Sequence, residues 1–187
     1  MVTAPHDLAD PSPWIVRYAP LVPPGAVLDV AAGAGRHARL FLALGHPVVA
    51  VDRDVSRLSP APGLDILAAD LESGSWPLKG RRFAGVVVAN YLHRPLIPRL
   101  LDALAPGGAL LYETFAKGNA RFGKPTNPDY LLEPGELLDA VLGRLRVIAY
   151  EDLKVAEPRP ACVQRIAAID DPDYSAAARP VADATTR

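Results

Sequence analysis

The glycine turn Gly33-Ala34-Gly35 follows directly on a short, mostly apolar run at 27–30, and that junction constrains the chain more than any other feature of it. Glycine lets the backbone turn tightly and approach a ligand with no Cβ in the way, so a strand ends and a helix begins there. Residues 36–44 supply the helix, with Ala38, Leu40, Phe41, Ala43 and Leu44 at spacings near three and four, and Gly45 falls at the expected C′ position. A second apolar run at 48–51 ends on Asp52, whose carboxylate at the strand tip can accept both hydroxyl protons of a ribose. The stretch 27–52 is a β-α-β unit built to hold a nucleoside.

The glycines alone do not choose the nucleoside. Gly33-Ala34-Gly35-Arg36-His37-Ala38 satisfies the looser G-x-G-x-x-A pattern of a dinucleotide site, which makes a nicotinamide-dependent oxidoreductase one alternative. Asp29 argues against it, because a carboxylate beside the turn would repel a pyrophosphate at the helix N-terminus. S-adenosylmethionine has no phosphate and carries an α-ammonium and a sulfonium, which suit an acid there. With Asp29-Val30-Ala31-Ala32-Gly33-Ala34-Gly35, the chain resembles the class I S-adenosylmethionine-dependent methyltransferases, Ala31 standing where that family often has glycine.

Two further pieces come in the order that family requires. A third strand at 64–69 ends in Asp70-Leu71, placed to receive the adenine amine on the carboxylate and a ring nitrogen on the backbone N–H. The nearly all-apolar run at 83–89, as expected of a parallel strand covered on both faces, leads into Asn90-Tyr91-Leu92-His93-Arg94-Pro95. A helix at 96–104, a turn at 105–108 and a strand at 109–115 follow, the Leu-x-Pro-Gly-Gly punctuation being again that of the family. A helix is expected at 134–142 with Pro134 at N1, and alternating stretches at 147–155 and 162–169 read as a terminal hairpin. The resemblance, carried by residues 26–115, implies a Rossmann-like, doubly wound α/β fold with a seven-stranded, mostly parallel sheet and a C-terminal antiparallel hairpin. It also implies a cofactor set of Asp29, Ala31, Gly33, Gly35, Arg36, Asp52, Arg53, Asp70, Leu71 and Asn90.

The chain has 187 residues, half of them apolar, enough for one core, so the expected organisation is a loose arm at 1–13, one domain at 14–169 and a disordered tail from 170. A net charge of −1 gives no global field for nucleic acid or an anionic membrane. The single cysteine, Cys162, offers neither an internal disulfide nor a thiolate metal site, and no metal is expected. The N-terminal residues lack a basic, apolar leader and no apolar run approaches a membrane span, so a cytoplasmic protein without membrane contact is expected.

The segment at 116–132 is a long connection carrying Lys117, Asn119, Arg121, Phe122, Lys124 and Tyr130. It emerges, with the 90–95 loop, where open α/β sheets bind ligands, and reads either as a solvated loop or as a lid over an acceptor. Arg94, Lys117, Arg121 and Lys124 would make that pocket basic and suited to an anionic group. Catalysis by such a family is chiefly positioning, with His93 the candidate base beside Asn90 and Arg94, against a purely structural histidine. His37 and Trp14 read as packing residues, and Tyr112 and Glu113 alternate, so only one faces the pocket. The 90–93 segment lacks the Pro-Pro of amine-methylating DNA enzymes, and Cys162 is misplaced for attack on a pyrimidine. The brevity resembles small-molecule methyltransferases of the tellurite-resistance and thiopurine type. Alternatives are an RNA or nucleotide methyltransferase using the lid locally, and a non-catalytic S-adenosylmethionine-binding protein.

Overall fold

The computed structural model describes residues 10–157 and 159–177. In chain order its elements are α1 (Pro13–Tyr18), β1 (Val27–Val30), α2 (Arg36–Ala43), β2 (Val48–Asp52), β3 (Leu64–Ala68), β4 (Phe83–Ala89), α3 (Ile97–Asp102), β5 (Leu104–Phe115), α4 (Glu136–Asp139), β6 (Arg146–Val155), β7 (Ala161–Ile169) and α5 (Pro172–Ala177). The strands form one seven-stranded sheet in the order β3-β2-β1-β4-β5-β7-β6. Strands β1 to β5 are mutually parallel, and β7 runs antiparallel to both β5 and β6. This is the mixed sheet with a terminal hairpin that the strand pattern predicts.

Alternation splits the strand residues between two apolar layers. Leu28, Val30, Val49, Val86, Val88 and Leu110 face one cluster with Leu100, Leu101 and Leu137, while Val27, Val48, Ala50, Val87 and Leu111 face another with Trp14, Ile15 and Phe41. Phe41, fully buried on α2, anchors that helix to the sheet. Its truncation to alanine costs about 3–5 kcal/mol by the usual large-to-small rule. Between β1 and β4 the strand order reverses, and the loops after β1, β2, β3, β4 and β5 all open at the carboxyl ends of the strands.

Three expected elements take other forms. The helix at 96–104 is a 3₁₀ turn at Arg94–Leu96 followed by α3, which stops at Asp102 because the Ala103 carbonyl accepts from Phe83 N–H (2.8 Å). The turn at 105–108 is a bulge inside β5, between the pairs Phe83↔Leu104 and Gly85↔Ala109, pinned to the end of β7 by Gly107 N–H donating to Asp170 O (2.7 Å). The helix at 134–142 shrinks to α4, because Gly135 takes φ +78 at its N-cap and the chain continues as turns after Ala140.

At the ends, residues 1–9 of the expected arm lie outside the described residues. Ser12 is buried, and its hydroxyl caps α1 by accepting from Trp14 and Ile15 N–H. In the expected tail, Asp171 accepts from Asp173 and Tyr174 N–H at the start of α5, and residues 178–187 lie outside the described ones. No helix among the described residues is long and apolar enough to cross a membrane.

Candidate functional site

The nucleoside cradle is assembled from short-range hydrogen bonds. Gly33 stands at φ +56 with open space where a side chain would begin, so a ligand can reach its backbone. Gly35, at φ +74, caps α2, and a Cβ there would come within 2.7 Å of Leu58. Ala31 holds φ +54, a left-handed conformation that glycine would take without strain. Asp52 accepts from Gly33 N–H (2.8 Å) on one oxygen and from Asp54 N–H (2.9 Å) on the other, which fixes the carboxylate against the turn. Asp70 accepts from Glu72 N–H (2.9 Å) and the Ser73 hydroxyl (2.7 Å), and the Ser73 contact foremost holds its pKa below the usual carboxylate value. Leu71 is buried beside it, and Arg53 is exposed, its charge near Asp54 and Asp70.

Asp29, expected to face the ligand's cation, lies beneath the turn instead. It is 1% exposed, and its carboxylate accepts from Ala38 N–H (2.9 Å) in the first turn of α2. Burial pushes its pKa up to about 7, against the Ala38 hydrogen bond and the Arg36 charge. A residue inside a central strand has the next helix above it, so Asp29 braces the turn rather than touching what the turn holds.

Beside the cradle opens a cavity of about 630 Å³, walled by Asp10 to Pro13, Arg36, Asn90, Glu113, Phe115, the lid and the β6–β7 hairpin. Asn90, exposed at the tip of β4, holds φ +58 and donates its N–H to Glu113 O (2.9 Å). A non-glycine residue in this region costs roughly 1–3 kcal/mol and concentrates at ligand sites. Glu113 faces the cavity, whereas Tyr112 is buried and donates to Tyr91 O (2.9 Å), as strand alternation predicts. Tyr91 itself stands near Asp52 and Asp70 and hydrogen-bonds Glu72; burial raises its pKa, and sequence reasoning had not placed it at the cradle.

The lid divides. Asn119, Phe122 and Lys124 line the cavity. Asn119 also ties the lid down, donating to Pro125 O (3.3 Å) and accepting from Cys162 N–H (3.3 Å). Lys117 pairs with Glu133 (2.8 Å), Arg121 donates to Gly118 O (3.2 Å), and Tyr130 is exposed; none of the three is part of the cavity wall. Arg94 is not in the wall either: it grips Glu136 through two hydrogen bonds (2.6 and 2.9 Å) and donates to the carbonyls of Asp129 and Leu131. It closes the far end of the lid instead of facing a ligand. His93 is half-buried in the turn before α3, contributes its carbonyl to Leu96 N–H (2.9 Å), and is likewise absent from the wall.

The cavity's positive charges are Arg36, Lys124, Arg159 and Arg165, against Asp10, Glu113 and Glu157. Arg165 is the deepest of them, its side chain 17% exposed, set between Glu113 (3.3 Å) and Glu151 (3.5 Å) and over the Trp14 ring (5.7 Å). Its buried Nε is the atom ion-paired with both carboxylates, without hydrogen-bond alignment to either. Sequence reasoning missed Arg165; the available signal was an arginine, next to Gln164, inside the mostly apolar run of β7. His37, as expected, serves structure: buried, it accepts from Ser12 N–H (3.2 Å) on Nε2, and burial pushes its pKa down to about 3. Together with Arg36, which donates to Asp10 O (3.3 Å), it straps the N-terminal segment along the cavity rim.

No family model matches the chain. It is 31% identical over 136 residues to a trans-aconitate 2-methyltransferase of Sinorhizobium fredii, covering 68% of this chain and 48% of that protein, so it spans about half the length of the curated relative it matches. Among solved structures, TehB from Haemophilus influenzae superposes with a TM-score of 0.68 at 15% identity, over 84% of this chain and 61% of that one. The glycopeptide N-methyltransferase MtfA complexed with S-adenosylmethionine gives 0.61 at 20%, over 90% and 99% of the two chains. A Burkholderia thailandensis 1,6-didemethyltoxoflavin-N1-methyltransferase, bound to its substrate and S-adenosylhomocysteine, gives 0.59 at 19%, over 83% and 75%.

Proposed function

We infer that this chain, whose fold is that of the class I S-adenosylmethionine-dependent methyltransferases, is an enzyme that transfers a methyl group from S-adenosylmethionine to a small acceptor bearing a carboxylate or similar anion. The observation that carries the acceptor class is the cavity beside the cradle, where the four cations Arg36, Lys124, Arg159 and Arg165 converge against three carboxylates, Asp10, Glu113 and Glu157. The likeness to trans-aconitate 2-methyltransferase supports the same class.

The residues present fit the cofactor. Gly33 leaves the backbone open, Asp52 at the strand tip would accept the ribose hydroxyls, and Asp70 with Leu71 N–H would receive the adenine edge. When bound, S-adenosylmethionine supplies a methyl already activated on a sulfonium, which leaves as a neutral thioether when the acceptor's lone pair takes the methyl carbon. The protein's share is positioning. Arg165 and Lys124 hold the acceptor's charge, Asn90 lines the cavity at the tip of β4, and Phe115 and Phe122 exclude water from the wall. A carboxylate oxygen attacks without losing a proton, so this reaction asks for no base, which agrees with His93 lying outside the wall.

Calorimetric titration with S-adenosylmethionine, S-adenosylhomocysteine and NADH tests the cofactor, and transfer of labelled methyl to a panel of small di- and tricarboxylates, beginning with trans-aconitate, tests the acceptor. Binding of the first two ligands and methylation of a carboxylate that falls with Arg165→Met is expected. Binding of NADH alone would overturn the cofactor, and methylation confined to neutral acceptors would overturn the acceptor class.

A further inference from the structure

At the opposite end of the strands, below the amino ends of β4 and β5, lies a second concavity of about 420 Å³ that shares no residue with the cavity at the cradle. Its lining includes four cations, Lys79, Arg81, Arg82 and Arg99, a single carboxylate, Asp102, and the half-buried Trp76. The whole chain carries a net charge of −1, so this concentration is not a product of basic composition.

Apart from Asp102, the counter-charges lie outside the hollow. Asp102 is taken by Arg144 (2.6 Å), which is not part of the lining, and Arg81 reaches Asp65 (3.3 Å) across an exposed pair while its guanidinium lies over Phe83 (5.4 Å). Arg82 donates to the carbonyls of Asp102 and Leu104, neutral partners that fix the guanidinium without cancelling it. The side chains of Lys79 and Arg99 have no hydrogen-bond or ion-pair partner among the described residues. Fixed guanidinium groups and uncommitted ammonium and guanidinium groups around one hollow are what a phosphate's oxygens need. An aromatic wall adds the complement of a flat ring, and the volume lies in the range of small-ligand pockets, roughly 300–1,000 Å³.

We propose that this concavity binds a nucleoside phosphate, the phosphate held among Lys79, Arg81, Arg82 and Arg99 and the base against Trp76. The same chemistry is presented by a free mononucleotide and by the terminal nucleotide of an RNA strand. The site is separate from methyl transfer and stands whether or not the cradle takes S-adenosylmethionine.

The test is titration of the full-length protein with uridine monophosphate, uridine, inorganic phosphate and a short oligouridylate, with and without saturating S-adenosylhomocysteine. Indole emission follows binding, because Trp14 is buried in the core and Trp76 is the other tryptophan. Uridine monophosphate is expected to bind, more tightly than uridine or phosphate, equally in the presence of S-adenosylhomocysteine, and about tenfold or more weakly in the exposed double variant Lys79→Gln/Arg99→Gln. An affinity that rises with oligonucleotide length and falls steeply with salt assigns the site to RNA; one indifferent to length assigns it to the free nucleotide. Binding abolished by S-adenosylhomocysteine, or unchanged in the double variant, would overturn the proposal. Phosphate binding as tightly as the nucleotide would overturn the part given to Trp76, with Trp76→Ala, followed by calorimetry because it lacks the reporting indole, as the independent check.

Discussion

The cradle and the proposed acceptor cavity meet at Arg36, the first residue of α2, and are built by different means. Each fixed contact of the cradle joins residues close along the chain: Gly33 to Asp52, Ala38 to Asp29, Asp70 to Ser73. The cavity gathers Asp10, Asn90, Glu113, Lys124 and Arg165 from five separated segments, held in place by sheet register, in which Glu113 and Glu151 both pair with Arg165. A local site is specified by a motif, whereas a register site is specified by the whole fold. Loops and a hairpin can therefore change the acceptor while the cradle stays as it is.

The contrast is broken most forcefully at Asp52. Asp52→Ala removes the carboxylate proposed to accept two ribose hydroxyls, each such hydrogen bond worth about 1.5–3 kcal/mol, and is expected to weaken S-adenosylmethionine by roughly 100-fold or more in calorimetry. A loss below about threefold would place the ribose elsewhere. At the cavity, Arg165→Met is expected to lower kcat/KM for the acceptor by roughly 10–100-fold while the affinity for S-adenosylmethionine stays within about twofold. If the two affinities fell together, the separation between the regions would be wrong.

How much of each region the sequence shows follows from the same difference. The central strands were legible because parallel strands covered on both faces are mostly apolar, the terminal hairpin because its stretches alternate, and the cradle because its partners lie within one β-α-β unit. The cavity's charges were misassigned for the opposite reason. Arg94 sits beside the site in sequence, but Glu136 and two lid carbonyls claim it, and no local pattern announces a partner that distant. Arg165 carried a faint signal as a charge in a buried strand, but only the register with Glu113 and Glu151 turns it into a cavity floor. The short helix α4 was overestimated because an apolar periodicity at 134–142 hid the left-handed Gly135.

Arg94→Gln sharpens this correction. Loss of two charged hydrogen bonds to Glu136 and two to carbonyls is expected to cost about 2–3 kcal/mol of stability in denaturant titration, with acceptor KM little changed under conditions where the protein is folded. Arg121→Gln, on the exposed side of the lid, is expected to change neither. A rise in acceptor KM with unaltered stability in Arg94→Gln would return that arginine to the ligand.

The smallest effect separates two buried groups that flank α2. Asp29, with its pKa raised to about 7 by burial, ionises less readily in the fold than in the open chain, so its contribution favours the folded state at lower pH and is lost as pH rises through about 7. His37, with its pKa lowered to about 3, resists protonation in the fold, so its contribution is present above the ordinary histidine value of 6.5 and is lost as pH falls below it. Between about pH 7 and 5.5 the first stabilises by roughly 1–2 kcal/mol and the second destabilises by about 1 kcal/mol, so the intact protein is expected to show a nearly flat stability there. Each substitution unmasks its opposite. His37→Gln, which keeps an acceptor for Ser12 N–H, is expected to grow more stable on acidification through this window, and Asp29→Asn, which keeps an acceptor for Ala38 N–H, to grow less stable. Urea midpoints at the two pH values decide it: parallel shifts in both variants would mean that neither burial governs the titration, and that the brace under the turn is weaker than its geometry implies.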